Sequence, residues 1–113
     1  MSDEVRLTRP LVLEAQARTS DGAGGFTEAW STVGTLWAEV APGSGRDVAG
    51  VEVTLASVPL RITVRGAKVG LLSRPLAGQR FRDGTRFFHI LAVSERDAGG
   101  QYLVCYAREE VPQ

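Results

Sequence analysis

The sequence contains few of the residues that catalytic and metal-binding sites use. Its one cysteine, Cys105, excludes an intramolecular disulfide framework and a cysteine-rich zinc site, and we expect it to be a small buried residue. Its one histidine, His89, lies in the middle of an apolar stretch. A lone imidazole lacks the companion ligands that a metal requires, so we interpret His89 as a packed or interface residue rather than a catalytic one.

The chain also lacks an excess of charge of either sign. Thirteen basic residues balance thirteen acidic ones, which excludes a strong global attraction to nucleic acid or to an anionic membrane. Twelve of the thirteen cations are arginine, which suits contacts across protein interfaces, although codon bias is the simpler explanation. No apolar run approaches the length of a membrane span, and Met1 to Arg6 lack the apolar core of a signal peptide. We therefore expect maturation in a cytoplasm, with no membrane partner.

The carboxylates do not form an obvious acid–base pair. Five of them lie in turns or near the C-terminus, where we expect them to be solvated and ionised: Asp83, Glu95, Asp97, Glu109 and Glu110. Glu14 and Glu39 lie in strand patterns, and we expect each on a polar face. The sequence therefore predicts no enzyme activity, no metal and no cofactor.

Alternating apolar and polar residues dominate the chain instead. The length of 113 residues fits one domain, residues 1–113, with flexible ends at about 1–5 and 109–113. Turn signals recur roughly every 8–12 residues, as in small barrels and sandwiches. We predict an all-β fold, a small antiparallel β-barrel or sandwich of five to seven strands. The candidate strands are 11–18, 26–30, 33–40, 60–65, 79–82, 86–94 and 101–109.

A long loop, about residues 43–58, separates the second and third main strands. Val51, Val53 and Leu55 alternate as in a strand, whereas Val48, Val51 and Leu55 would share one face of a short helix, and periodicity does not decide between them. An apolar excursion of this length indicates a segment that orders against a neighbouring subunit. At its start, Gly43 to Arg46 form either a structural turn with an interface arginine or a weak anion-binding nest.

Other residues are candidates for subunit contacts. Trp37 stands between polar neighbours, so it caps the barrel edge or lies in an interface, with ligand stacking as a third option. Arg61 and Arg65 share the outer face of one strand but have no aromatic residue between them, which favours a solvated face or an intersubunit salt bridge over nucleic-acid binding. Phe88 belongs to a strand that is apolar on both faces and needs cover from another element or subunit.

The order and spacing of several motifs resemble the head-tail joining family of tailed phages and gene transfer agents, also called head-completion or stopper proteins. The likeness spans about residues 5–108. Two departures are Leu60, where the family often has a polar residue or histidine, and Asp47, where it often has glutamate. The motifs are Asp21-Gly22-Ala23-Gly24-Gly25 with Trp30, Leu36-Trp37-Ala38-Glu39-Val40, Ser44-Gly45-Arg46, Arg61-Ile62-Thr63-Val64-Arg65, Arg80-Phe81 before Gly84, and Phe88-His89-Ile90-Leu91-Ala92-Val93.

The resemblance implies a structural protein of the particle neck, assembled in a bacterial host cytoplasm. Its copies would form a homo-oligomeric ring, a hexamer or dodecamer, between the portal and adaptor proteins on the head side and the tail terminator or tail tube on the tail side. Double-stranded DNA would pass through the channel without sequence-specific binding. The alternative from the residues alone is a single-stranded nucleic-acid-binding β-barrel.

Two sets of residues follow as expectations. The resemblance implies that the long loop reaches the ring channel, and its closure residues would be Ser44, Gly45, Arg46 and Asp47. The candidates for the subunit interface are Trp37, Arg46, Val51, Val53, Leu55, Arg61, Arg65 and Phe88.

Overall fold

The computed structural model describes residues 4–43 and 57–110, and all regular structure in that part of the chain is β-strand. This confirms the predicted all-β class. The two candidate strands 26–30 and 33–40 form one continuous strand. The six strands are β1 (Arg9–Ser20), β2 (Phe26–Pro42), β3 (Ser57–Arg65), β4 (Arg80–Asp83), β5 (Arg86–Glu95) and β6 (Tyr102–Glu110).

The strands form one antiparallel sheet that closes on itself. Their order around the barrel is β1-β2-β3-β6-β5-β4, and the pairing of β4 with β1 completes the ring. Closure pairs the edge strands that would otherwise be open to other chains. The predicted Asp83-Gly84 hairpin joins β4 to β5: Asp83 pairs with Arg86, and Gly84 adopts a φ of 63°, which glycine supplies without steric cost.

The barrel interior is filled by the inward-facing residues of all six strands. Phe81 and Phe88 are the largest fully buried side chains, and each contributes about 1.5 to 3 kcal/mol through burial. Phe88 is 0% exposed, so its side chain belongs to the core of one copy and does not support the prediction that it contacts a neighbour. The core residues are Leu11, Leu13, Ala38, Leu60, Ile62, Val64, Phe81, Phe88, Ile90, Leu103, Cys105 and Ala107.

Two register shifts alter the simple alternation of faces. In the β1–β2 pairing the shift lies between Leu13 and Glu14, where β2 contains the extra residue Val33. Leu13 pairs with the core residue Phe81, whereas Glu14 pairs with Arg80 on the outer face, in agreement with the predicted polar face. The sequence did not predict that Glu14 is buried there, with 7% exposure. A second shift lies between Ile90 and Ala92 in β5. Because of it, Val93 packs against the core instead of sharing the outer face with His89, as simple alternation would require.

The hairpin of β1 and β2 projects beyond the barrel. Residues 15–32, called the arm below, contain six residue pairs from Ala15↔Ser31 to Ser20↔Phe26. Apart from Ala15, Gly25 and Trp30, the arm residues are exposed. The described part of the chain measures 57 × 34 × 28 Å, an elongated shape for its size. At the tip, the Asp21 carboxylate accepts hydrogen bonds from the backbone N–H groups of Ala23 and Gly25, at 2.8 and 3.1 Å.

The bounds of β2, β3 and β6 relate to the predicted long loop and the predicted C-terminal end. Strand β6 ends at Glu110, and the flexible C-terminal end at about 109–113 stays a prediction. Strand β2 ends at Pro42 and β3 begins at Ser57, in agreement with a long connection there. The candidate residues of that connection lie outside the described residues: Ser44, Gly45, Arg46, Asp47, Val51, Val53 and Leu55.

Candidate functional site

The base of the arm is fixed to the barrel by an arginine clamp made of Glu14, Arg80, Arg82, Trp30 and Phe87. The Nε of Arg80 donates a hydrogen bond to the Glu14 carboxylate at 2.7 Å, and the Nε of Arg82 donates to its other oxygen at 3.1 Å. The Arg80 guanidinium also lies 4.1 Å from the ring centres of both Trp30 and Phe87. Since Trp30 is on the arm and Arg80 is on β4, the clamp sets the direction of the arm.

The charges of the clamp explain why Glu14 is tolerated at 7% exposure. Burial alone would raise the pKa of Glu14, but the hydrogen bonds and positive charges of Arg80 and Arg82 outweigh it and lower the pKa below the ordinary value. Glu14 therefore stays ionised. A buried carboxylate with two arginine donors is a structural ion pair, because its oxygens are already engaged.

His89 packs beside the clamp rather than into a catalytic arrangement. Its ring meets Trp30 edge to face, with the ring centres 6.3 Å apart, and its Nε2 lies 3.9 Å from the Glu110 carboxylate. Burial lowers the pKa of His89, and the nearby Glu110 opposes that shift only in part. The outer face of β5 thus receives its cover from Trp30 and Arg80 of the same chain, one of the two options that the sequence left open.

Arg9 and Arg86 lie over the Phe88 ring, 5.6 and 5.1 Å from its centre, and each is held by an ion pair. Arg9 contacts Asp83 at 2.7 Å, and Arg86 makes two hydrogen bonds to Glu109 at 2.6 and 2.8 Å. The hydrogen bonds from Arg86 lower the pKa of Glu109, while burial opposes them. Asp83 and Glu109 are therefore paired, contrary to the expectation that these carboxylates are simply solvated.

A groove around Trp37 lies on the outer wall of the barrel. It is lined by Leu7, Thr35, Leu36, Trp37 and Arg65 and has a volume of about 350 Å³. Trp37 is 57% exposed, so more than half of the side-chain surface faces water and it does not seal the barrel. Large exposed apolar side chains in a groove are typical of protein contact surfaces.

The Trp37 groove continues into a second apolar groove along the same strand. This neighbour shares Thr35 and Leu36 with it and adds Val33 and Leu72. Leu72 is 81% exposed and belongs to the loop between β3 and β4, residues 66–79. Other exposed apolar residues of this loop are Val69, Leu71 and Leu76. One copy therefore leaves a connected apolar strip in contact with water.

The two candidate arginines of β3 are exposed and differ in their surroundings. Neither Arg61 nor Arg65 has an ion-pair partner among residues 4–43 and 57–110. Arg61 lines a polar groove of about 340 Å³ together with Glu39, Glu95, Arg96 and Tyr106. Its two arginines and two carboxylates carry no net charge, so the groove lacks the positive charge that would attract phosphate.

The residues with intrinsic reactivity do not assemble into a reaction centre. Burial raises the pKa of the Cys105 thiol to about 12, which keeps it in the unreactive protonated form. No group of three or more histidine, cysteine, aspartate or glutamate side chains that could hold a metal occurs in the described part of the chain. No helix within those same residues is long and apolar enough to cross a membrane.

The structure brings Trp37 and Arg65 together in one groove and places Arg61 in another. Sequence reasoning missed the arm and the arginine clamp, which depend on the β1–β4 pairing at Glu14↔Arg80. It also missed Tyr106, which lies opposite Arg61 in the β3–β6 register. The one local signal was the Arg80-Phe81-Arg82 triplet, whose cations flank a core residue.

The chain is similar to known proteins in sequence and in fold. The family model described as "Phage head completion protein" matches residues 3–110. A solved chain from the "Virion of native gene transfer agent (GTA) particle" is 57% identical, with a TM-score of 0.79, over 96% of this chain and 98% of that one. No curated protein gives a significant match.

A second solved structure supports the fold alone. It is the solution structure of protein SF1141 from Shigella flexneri 2a, with 24% identity and a TM-score of 0.72, over 99% of this chain and all of that one. The family match covers nearly the whole sequence and agrees with the resemblance found in its motifs. The chain belongs to the phage head completion protein family.

Proposed function

We propose that the chain is a structural protein at the head–tail junction of a phage or gene-transfer-agent particle. The observation that carries this proposal is the 57% identity to a chain of a gene transfer agent virion over nearly the whole length of both chains. The two chains also share one fold, with a TM-score of 0.79. The role requires contact with other head and tail proteins.

We further propose that copies of the chain close into a ring that retains packaged DNA and joins the portal or adaptor proteins to the tail. The connected apolar strip from Trp37 to Leu72 supports this idea, since a single copy leaves it exposed. The zero net charge suits a channel, because each phosphate that a ring neutralises would release counterions and retard the DNA. The number of copies, six or twelve, and the channel role of Ser44 to Asp47 stay predictions.

A deletion of the coding gene tests the proposed function. Particles made without the protein should lose their DNA to added nuclease and fail to bear tails, and expression of the intact chain should restore both properties. Full, tailed particles from the deletion strain would contradict the proposal. Cryo-electron microscopy of complemented particles should place density of this barrel in the neck.

The alternative, a single-stranded nucleic-acid-binding barrel, is tested separately. Arg61 and Tyr106 form a pair of the kind that contacts phosphate and base, but Glu39 and Glu95 line the same groove and cancel the charges of Arg61 and Arg96. A titration with a labelled single-stranded oligonucleotide at low and high salt distinguishes the nucleic-acid-binding function from the structural one. Tight binding that weakens steeply with salt would favour the alternative, and we expect none.

A further inference from the structure

The chain presents two uncovered apolar features that lie apart from each other. One is the Trp37 groove on the barrel wall, and the other is Phe26 at the tip of the arm, which is 60% exposed. Phe26 and Thr35, which lines the groove, are nine residues apart on the single strand β2. At about 3.3 Å per residue that separation is about 30 Å, so the two features cannot meet within one copy.

The arm has little to hold it beyond its base. Its six residue pairs extend about 20 Å, and only Trp30 contributes to the clamp. An isolated two-stranded ribbon is marginally stable in water, and cross-strand contacts such as Arg18 over the Phe26 ring, at 4.5 Å, are exposed. A surface that received the arm would bury its apolar tip and supply the missing packing.

We propose that the arm of one copy lies in the Trp37 groove of the neighbouring copy. This inference deepens the proposed function, because it rests on the ring and names the surfaces that close it. The contact joins two different patches of identical chains, so it is heterologous, and heterologous contacts generate rings when the rotation closes. A tip-to-tip contact would be isologous and would stop at a dimer.

The charges of the two surfaces fit each other. The arm carries Arg18, Asp21 and Glu28, an excess of one negative charge. The only charged residue lining the groove among the described residues is Arg65, which has no ion-pair partner there. The Gln16 side-chain amide donates a hydrogen bond to the Glu28 carboxylate at 2.6 Å, and the Nε of Arg18 lies 4.0 Å from its other oxygen. Because the contact with Arg18 is long, the Glu28 carboxylate is available to a cation of the neighbouring copy.

Disulfide cross-linking in purified particles tests the contact. A chain with both Phe26→Cys and Thr35→Cys should give a ladder of covalent multimers after mild oxidation, which collapses to monomer with reductant. Each single variant should give no ladder. A bond within one chain is excluded because the two positions lie about 30 Å apart and a disulfide needs Cα atoms within about 7 Å. The native Cys105 is fully buried, so we expect it to form no cross-link in any of these variants.

The outcomes separate this inference from the proposed function. Dimers from the Phe26→Cys variant alone would show tip-to-tip contact and overturn the inference. Absence of any cross-link, with the protein present in particles at the normal amount, would overturn the inference and leave the proposed function standing. Absence of the unaltered protein from purified particles would overturn both.

A charge exchange gives a second measurement that does not depend on cysteine. Glu28→Arg and Arg65→Glu should each lower the amount of protein incorporated into particles, and the double variant should restore it. Circular dichroism of the isolated variants checks that the barrel still folds. The matched control is Lys68→Glu, which reverses an exposed cation that lines neither the Trp37 groove nor the groove beside it and should leave incorporation unchanged. If the double variant is incorporated as poorly as the single variants and the cysteine variant gives no cross-linked ladder, the proposal is overturned.

Discussion

Arg80 on β4 donates a 2.7 Å hydrogen bond to Glu14 on β1, and this pair links the closing seam of the barrel to the arm. The same guanidinium lies between the rings of Trp30 and Phe87. One side chain thereby satisfies a buried charge, covers the outer face of β5 and orients a hairpin that belongs to another part of the barrel.

Glu14→Gln should lower the free energy of unfolding by about 2 to 3 kcal/mol, because it removes the charge that Arg80 and Arg82 share in a mostly buried site. Urea denaturation measures the change. The control, Glu28→Gln, alters an exposed arm carboxylate and should change stability by less than about 0.5 kcal/mol. Equal effects of the two variants would contradict the role given to the clamp.

The protein should lose stability as the pH falls below about 4.5. Glu14 and Glu109 have folded-state pKa values lowered from the ordinary 4.5, so each contributes stability that is complete above the unfolded value. That contribution disappears as the pH falls through the folded-state pKa. Urea midpoints measured between pH 7 and 3 should show the decline, and the double variant Glu14→Gln with Glu109→Gln should show a shallower one. An equally steep decline in that variant would point to other groups.

Trp30→Ala should loosen the arm without unfolding the barrel. The substitution removes the ring that lies on Arg80, a contact of about 1 to 2 kcal/mol, so amide hydrogens of the arm should exchange about tenfold faster. Amides of the core strands should keep their protection. In isolated protein, Trp37→Ala is the matched control, since that ring is exposed and should not affect arm exchange. Unchanged exchange in the Trp30→Ala variant would show that the clamp does not hold the arm.

Cys105 should resist thiol reagents in the folded protein. Burial raises the pKa of this thiol to about 12, so almost no thiolate exists at neutral pH. Reaction with a chromogenic disulfide should occur at the rate of unfolding in buffer and become fast in concentrated urea. Rapid labelling of folded protein would mean that β6 opens locally.

Gly66→Ala should destabilise the barrel by about 1 to 3 kcal/mol, because a Cβ at this position would collide with the carbonyl oxygen of Gly100. The Gly66 N–H also donates to the Gln101 carbonyl oxygen at 2.8 Å, which keeps the two backbones close. Gly34→Ala is the control, since a Cβ there meets no atom within 4 Å. A thermal unfolding midpoint that falls for Gly66→Ala and not for Gly34→Ala would confirm the prediction.

Much of the fold could be predicted because alternation is a local property. The run Leu60 to Arg65 and the Asp83-Gly84 turn are correctly identified from neighbouring residues alone. Glu14 could not be placed in this way. Its side chain lies on the outer face and is nevertheless buried, and its two arginine partners are 66 and 68 residues away along the chain. No local pattern carries a contact of that separation.

The candidate surface was predictable only in part. Trp37 and Arg65 stand out in the sequence, but their shared groove depends on β2 and β3 lying side by side. Phe88 was a reasonable candidate because both faces of its strand are apolar. The structure shows that one face fills the core and the other is covered by Arg80 and Trp30.

The sequence by itself determined the all-β class, the main turns, the absence of net charge and the family, since each depends on residue types and their order along the chain. Only the tertiary structure decided which charges are buried, which aromatic rings remain in water and where the arm projects. Those properties arise when strands distant in sequence pair around a closed barrel, and the pairing brings Glu14 to Arg80 and leaves Trp37 exposed.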